Sequence, residues 1–435
     1  MEITSLMPRT VSRRFFAILA LQLSMFPRTA FSGQDGSQEH AVFAEPDGQK
    51  GVVTARIFIP YEAATPGLAH YAEHLAMLSV LGKAPGEMDP HGSASVSETV
   101  MVYWLSGPPE ELAGMLKTLA SVFAPLELPQ AFAETERDII QHEYDLAVLD
   151  NPDRLALEAV NAFLYAGNSL AVSVLGTRNQ IKAITYEQAK AFHAATHQPE
   201  KAILVVTGEI SDRALQHAIA GSGFPAMARR SAIRPPSFSF PGVAEKVFLY
   251  PLDSAMPRMI WRKVVMLPEA VQYDALVLRC NLLFNVLISA LPGGLPKQLR
   301  FDAFIAQSVD LAIFPLDERH AEIRVWLQPD SGVSFSGLRF ALETALAQTA
   351  AGIPQPTFER VHRRFIDDTP DDGDEKANAD NLLDRVANRR LPIGSQRLRA
   401  LAQQLNKADT EGLLSAVAGP GRLAVTFIGK DIPHE

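Results

Sequence analysis

The amino-acid sequence predicts a duplicated α+β fold, in which two similar domains follow one another along the chain. A pair of apolar segments typical of strands precedes a helix at residues 42–59, and the same scheme returns at residues 247–266. A further apolar segment closes each half, at residues 203–210 and 423–429. We therefore expect two tandem domains, each a mostly antiparallel sheet covered by helices on one face.

The composition is consistent with two hydrophobic cores and excludes several classes of protein. Hydrophobic residues make up 47% of the 435 positions, which is enough for two domains. Cys280 is the only cysteine, so no internal disulfide, thiolate zinc site or redox pair is possible, and we expect it to be a buried small side chain. The formal net charge of −9 disfavours binding to nucleic acid or anionic lipid.

Residues 1–32 have the features of an export signal. A basic start that includes Arg13 and Arg14 is followed by an apolar stretch at 15–26 and a small-x-small cleavage site at 30–32. The apolar stretch is too short for a permanent membrane span, so we expect a periplasmic protein. The adjacent arginines also resemble a twin-arginine signal for export in the folded state, although they are equally compatible with an ordinary basic start. Removal of residues 1–32, which contain four arginines and one glutamate, would change the net charge from −9 to −12.

The expected domain boundaries follow from the repeat. The first domain covers residues 40–225 and the second covers residues 247–435. Between them, residues 226–246 are rich in arginine and proline and have no helical periodicity, which indicates a stiff connector.

A short helix in the first half carries two histidines and a glutamate. His70 and His74 are four residues apart, so an α-helix places them on one face, with Glu73 beside them. Thr65 and Pro66 predict the N-cap and the first helical position. Two imidazoles with a third protein ligand can hold Zn²⁺ and leave one position for water. Glu73 would then act as general base. The alternative is a solvated helix face with two ordinary histidines, which a suitable third ligand would disfavour.

A second helix, expected at about residues 129–149, supplies that third ligand. Glu136 and Glu143 are seven residues apart and therefore lie on the same face. His142 is adjacent but points away from this face, so we expect a surface position for it.

These residues carry a resemblance to a known family. The histidine pair around Glu73, followed by the segment 136–143, resembles the inverted-motif zinc peptidases of the pitrilysin and insulinase family. The resemblance implies one Zn²⁺ per chain, with Glu143 as the third ligand and Glu136 as a carboxylate behind the ligands.

The same resemblance suggests substrate contacts in the first half. Residues 91–95 match the place where the family holds an extended substrate as an added strand at a sheet edge, so Ser93 and Ala94 are candidate substrate-binding residues. Family members usually have asparagine where this chain has Ser93. His91 is expected to be a loop residue.

In the second half, the glycine-rich segment 293–300 resembles the entry to a helix with a Leu-Arg pair. The family's arginine here and a tyrosine seven residues later reach the substrate at the zinc. This chain has Arg300 but carries Gln307 in place of the tyrosine. Arg300 is thus a candidate catalytic residue that polarises a carbonyl or holds a carboxylate, or else it forms a structural ion pair. Gln307 is a candidate substrate-binding residue.

Two further patterns have simpler explanations than metal sites. His193 and His197 are also four apart, but they lack a suitably placed glutamate, and Gln198-Pro199 ends the helix. We expect this pair on a solvated last turn. The acidic run at 367–375 lacks the spacing of a calcium loop, so a solvated loop is expected.

The sequence therefore predicts an exported zinc endopeptidase that acts on peptides or unfolded polypeptides. Larger family members enclose their substrates with four such domains, and this chain has two. We accordingly expect a homodimer, or a heterodimer with a related half-enzyme that could supply the missing tyrosine. The alternatives are a non-catalytic or partner-dependent subunit of such a peptidase, and a processing protease with one protein substrate.

Overall fold

The computed structural model describes residues 40–62, 65–82, 91–149, 151–252 and 256–430. The predicted export signal lies outside these residues. Within them, no helix is both long and apolar enough to cross a bilayer.

The first half contains, in chain order, β1 (Val42–Glu45), β2 (Val53–Pro60), α1 (Leu68–Leu81), β3 (Gly92–Val96), β4 (Val100–Gly107), α2 (Leu112–Ala120), α3 (Gln130–Tyr144), α4 (Pro152–Leu164), α5 (Arg178–Ala183), α6 (Tyr186–Thr196), β5 (Ile203–Gly208) and α7 (Asp212–Ser222). The second half contains β6 (Ala244–Pro251), β7 (Arg258–Met266), α8 (Tyr273–Leu287), β8 (Ala306–Pro315), β9 (His320–Pro329), α9 (Phe335–Ala350), α10 (Gln355–Asp368), α11 (Glu375–Ala387), α12 (Ser395–Gln404), α13 (Lys407–Ala418) and β10 (Arg422–Gly429).

Each half forms a five-stranded sheet with the same topology. The strand order is β1-β5-β2-β4-β3 in the first sheet and β6-β10-β7-β9-β8 in the second. In each sheet only the first pair in this order is parallel, β1 with β5 and β6 with β10. The other pairs are antiparallel. The predicted fold of two similar α+β domains is confirmed.

The helices of each half cover one face of their own sheet and form its main core. In the first half this core joins Ile57 and Tyr103 of the sheet to Leu75 of α1. In the second half it joins Trp261 of the sheet to Leu283 of α8. The strands turn apolar side chains, many of them β-branched or aromatic, toward the helices, and this pattern accounts for the packing.

The outer face of each sheet is covered by a helix of the other half. Phe58 and Val205 of the first sheet pack against Leu382 of α11. In the second sheet, Ala424 packs against Val160 of α4. The two halves therefore exchange one helix each.

Two local predictions need correction. α1 begins at Leu68, and its N-cap is Gly67 with φ 80°, so neither Thr65 nor Pro66 has the predicted role. The left-handed turn at Gly67 separates both residues from the helix, and the carbonyl of Thr65 instead accepts a hydrogen bond from the N–H of Leu68 at 3.0 Å. The second sheet begins earlier than expected, because β6 already starts at Ala244, within the predicted connector.

Candidate metal centre

The helix α1 places both histidines of the motif on its buried face. The ring centroids of His70 and His74 are 4.7 Å apart, and the rings are nearly perpendicular. Glu73, between them in sequence, is only 3% exposed. One helical turn therefore concentrates three ionisable side chains in the interior, where such groups are rarely found without partners.

The helix α3 brings Glu143 to the two imidazoles. Its Oε2 atom lies 3.5 Å from Nε2 of His70 and 3.6 Å from Nε2 of His74. These three residues, which we call the metal cluster, each offer one ligand atom within 4.8 Å of the others, and they are the one such group of three in the described part of the chain. Glu143 is partly exposed, so the cluster is reached from the side of α3.

The spacing of the metal cluster fits zinc. Separations of 3.5 and 3.6 Å are longer than the usual hydrogen bond of about 2.7–3.2 Å. They agree with the edge of roughly 3.4 Å in a tetrahedron whose bonds to zinc are about 2.0–2.2 Å. Nε2 of His74 is buried, and no described atom forms a hydrogen bond with it. Two imidazoles and one carboxylate form a ligand set that zinc accepts.

Glu136 fixes the orientation of His74. Its Oε2 accepts a hydrogen bond from Nδ1 of His74 at 2.7 Å, and Glu136 is itself 3% exposed. This contact directs Nε2 toward Glu143, as expected for a ligand histidine supported by a carboxylate. Burial lowers the pKa of His74, but the hydrogen bond to Glu136 and the nearby carboxylates of Glu143 and Glu73 outweigh it and raise the pKa to about 10.

A buried hydrogen bond sets the distance between α1 and α3. The hydroxyl of Tyr71 donates to the carbonyl of Ala133 at 2.7 Å.

At the start of α1, Gly176 lies so close that a Cβ on it would come within 3.0 Å of the backbone N of Gly67. Both glycines have positive φ, so the chain entry into the metal helix depends on two residues without side chains.

A buried layer of polar rings lies close to Glu73. The hydroxyl of Tyr103 on β4 is 2.9 Å from Nε2 of His197, and the ring of His197 stacks on that of His193 at 3.9 Å. Nε2 of His193 is 2.9 Å from the carbonyl of Val122. Burial lowers the pKa of His193 to about 4 and that of His197 well below its usual range, and burial with the charge of Glu73 raises the pKa of Tyr103.

The predicted solvated position of this histidine pair is wrong. His193 and His197 are 2% and 3% exposed, because the last turn of α6 packs inward against β4 and the segment after α2. Tyr103 was not identified from the sequence, since a tyrosine within the apolar segment 99–105 has no signal that distinguishes it from a core residue.

The predicted substrate segment forms a sheet edge. β3 is the outermost strand next to β4, where Ser93 pairs with Trp104 and Ala94 pairs with Tyr103. Ala94 is buried, and Ser93 is partly buried. One side of β3 therefore has no neighbouring strand among the described residues.

Arg300 and Gln307 lie in the second half and are both exposed. Arg300 is in a helical turn at Pro296–Asp302, and its guanidinium lies 5.4 Å from the ring centroid of Phe301. The structure gives it no ion pair with a described residue. Gln307 occupies an irregular position in β8, between Ala306 and Ser308. The structure does not bring either residue into the metal cluster.

The other candidates behave as simple structural residues. Cys280 is fully buried, and burial raises the pKa of its thiol. His142 is exposed, as predicted. The acidic run at 367–375 joins α10 to α11 and is largely exposed, and Asp374 caps α11 by accepting a hydrogen bond from the N–H of Ala377 at 3.0 Å.

The fold and the metal cluster define a duplicated α+β protein with a buried histidine–carboxylate centre in its first half. Residues 61–178 match the model of the insulinase family, peptidase family M16. This segment contains the whole metal cluster together with Glu73 and Glu136.

Comparisons with individual proteins agree with this match. The chain is 23% identical over 156 residues to a probable mitochondrial-processing peptidase subunit beta of Schizosaccharomyces pombe, and the match spans 34% of each protein, well under half of either length. Among solved structures, it is similar to a protease from Helicobacter pylori (TM-score 0.70, 15% identity, 90% of this chain and 97% of that one). It is also similar to the first half of the periplasmic protease PqqL from Escherichia coli (TM-score 0.68, 12% identity, 90% and 89%). These likenesses show a shared fold.

Proposed function

We propose that this chain is a zinc-dependent endopeptidase of the insulinase family, and that its first domain, residues 40–225, is catalytic. The observation that carries the proposal is the spacing of His70, His74 and Glu143, which suits one tetrahedral ion rather than direct hydrogen bonds. The family match over residues 61–178 supports it.

The residues around the metal cluster have distinct roles in this proposal. Zinc, when bound, supplies Lewis-acid chemistry that lowers the pKa of a water to about 7 and polarises the scissile carbonyl. Glu73, with Oε2 3.9 Å from Nε2 of His74, takes the proton from the attacking water and passes it to the leaving amine. Glu136 holds the imidazole of His74 in the ligating orientation.

The open side of β3 is the proposed binding site for the peptide. An extended chain can add to a sheet edge through backbone hydrogen bonds, with Ser93 and Ala94 at its centre. A requirement for extended backbone favours peptides and unfolded polypeptides over folded proteins. Arg300 would polarise the carbonyl, and Gln307 would contact the substrate, if the second domain, residues 247–435, faces the bound peptide.

We further propose that the chain works in a pair in the periplasm. Four domains would enclose a substrate, and two chains supply four, either as a homodimer or with a related half-enzyme. The relative from Schizosaccharomyces pombe is named as a subunit, and the structurally similar PqqL is named as periplasmic. Residues 1–32 would provide the export signal.

The decisive experiment compares the wild type with Glu73→Gln. We measure zinc content and the rate of cleavage of unstructured peptides. The variant should keep its zinc but cleave about 10²–10⁴ times more slowly, because only the general base is removed. Glu134→Gln, which changes an exposed glutamate of α3, is the matched control and should cleave normally. A Glu73→Gln variant that binds zinc and cleaves as fast as the wild type would overturn the mechanism.

A second candidate function is a partner-dependent subunit. It is favoured by Gln307, which stands where active family members have a tyrosine. In that case the isolated chain binds zinc but cleaves only when the related half-enzyme is added. Mapping the cleavage sites in a mixture of peptides also separates a general peptidase from a processing protease with one substrate.

A further inference from the structure

A partly open cavity lies between the first turns of α4 and the outer face of the second sheet. Its volume is about 250 Å³, which is room for on the order of eight water molecules. Because α4 comes from the first half and the sheet from the second, the cavity exists only where the halves meet. Arg154, Arg262 and Arg324 line the cavity, and Arg262 with Arg324 forms what we call its arginine end, whereas Leu157, Ile260 and Trp326 form its apolar end.

The arginine end has an excess of positive charge. Arg262 and Arg324 are directly opposite each other on β7 and β9 and share one carboxylate, that of Glu322. Tyr165, the residue directly after α4, completes this group through hydrogen bonds to all three. Burial raises the pKa of Glu322, but the two guanidinium groups outweigh it and hold the pKa at about 2. Two cations therefore face one anion.

Glu322 has no acceptor capacity left for a further donor. Its Oε1 accepts from Nε of Arg262 at 2.7 Å and from Nε of Arg324 at 2.8 Å. Its Oε2 accepts from Nη2 of Arg324 at 3.0 Å and from the hydroxyl of Tyr165. A carboxylate offers about four acceptor sites, and all are used.

One donor of this group remains without an acceptor. Nη1 of Arg262 is buried and has no hydrogen-bond partner among the described residues, and Arg262 is only 3% exposed. Nε and Nη2 of the same guanidinium are engaged by Glu322 and Tyr165. A buried charged donor without an acceptor is costly, so an oxygen ligand in the adjoining cavity would be favoured.

We propose that this cavity, which we call the arginine cavity, binds an organic monocarboxylate. The excess positive charge of the group formed by Arg262, Arg324 and Glu322 favours a carboxylate, and the planar guanidinium of Arg262 presents its remaining N–H groups to such an oxygen. The apolar end, with Leu157, Ile260 and Trp326, accommodates a hydrocarbon body. This chemistry has two sources, a free short-chain carboxylic acid and the C-terminal carboxylate of an apolar peptide. The proposal does not depend on zinc or on peptidase activity.

The test uses calorimetric titration of the full chain with matched acids and amides. The probes are hexanoate against hexanamide, and N-acetyl-Leu-Leu as the free acid against its C-terminal amide. We expect at least one acid to bind, with an affinity at least tenfold above that of its amide. Binding of hexanoate identifies a free acid as sufficient, whereas binding of the dipeptide acid alone identifies a peptide terminus.

Two variants locate the binding site. Arg262→Lys keeps the charge but lacks the planar fork, and Leu157→Trp, at a partly buried position, fills the cavity without touching the ionic group. Each should weaken acid binding at least tenfold, and circular dichroism melting confirms that the variants are folded. Arg364→Gln, at a highly exposed arginine of α10, is the control and should bind normally. Equal binding of acids and amides, or wild-type affinity in a folded Leu157→Trp variant, would show that the cavity holds water only.

Discussion

The two halves place the same pair of helices over their sheets but bury different chemistry between them. In the first half, α1 and α3 bury His74 and Glu136. In the second half, the corresponding helices α8 and α10 contribute Cys280, Leu283 and Phe358 to the apolar core.

The difference teaches where function departs from folding. Among the described residues, the second half has no histidine–carboxylate group of this kind. The fold therefore forms without one between the corresponding helices. Burial of charged groups costs several kcal/mol unless they are paired or bind a metal. The first half keeps these groups, which supports the metal binding that we propose for them.

We expect the largest effect when a buried histidine of α1 is replaced, and a small effect when a buried apolar residue of α8 is replaced. His74→Ala removes a predicted ligand, so zinc should be lost and peptide cleavage should fall to background. Cys280→Ala in α8 should keep zinc and activity, with a loss of unfolding free energy of about 1 kcal/mol. Zinc content by atomic absorption and peptide cleavage check both variants. Retention of stoichiometric zinc by His74→Ala would contradict the assignment of the metal cluster.

A smaller effect is expected from the carboxylate behind His74. Glu136→Gln keeps the size of the side chain but weakens the hydrogen bond to Nδ1, so zinc affinity should fall about 10–100-fold. Competition with a fluorescent chelator measures this change. Glu134→Gln, which changes an exposed glutamate of α3 outside the metal cluster, serves as the control. Equal zinc affinities in the two variants would show that Glu136 does not support the site.

The smallest expected effect concerns the stacked histidines. Because burial lowers the pKa of His193 to about 4 from 6.5, the unfolded chain binds more protons than the folded one between these pH values. The free energy of unfolding attributable to His193 should therefore fall by about 2 kcal/mol from pH 7 to pH 5.

Urea unfolding of the zinc-loaded protein at both pH values measures this effect. His193→Gln removes the titrating group, so its stability should change less than that of the wild type over the same range. Parallel changes in both proteins would show that His193 is protonated in the folded state.

The sequence predicted the parts of the site that depend on helical spacing alone. The four-residue separation of His70 and His74 and the seven-residue separation of Glu136 and Glu143 predicted that each pair shares one helical face. The choice of Glu143 as the ligand and of Glu136 as the carboxylate behind it came from the resemblance to the insulinase family. The repeat of apolar segments was sufficient for the duplicated fold, because the strand patterns in the two halves are alike.

Features that depend on distant contacts were not predictable in this way. The burial of His197 requires Tyr103, which lies 94 positions earlier in the chain. The start of α1 depends on the close approach of Gly176 to Gly67. Neither contact leaves a local pattern, since each residue alone is compatible with an ordinary turn or surface position.

The exchange of α4 and α11 restricts how the molecule can move. Opening the two halves of one chain like a hinge would strip Val160 from the second sheet and Leu382 from the first, and it would expose apolar surface on both. The two halves of a single chain should therefore move together as one rigid body. Any opening and closing around a polypeptide would then take place between two chains, and a fragment that contains only one half should aggregate instead of folding.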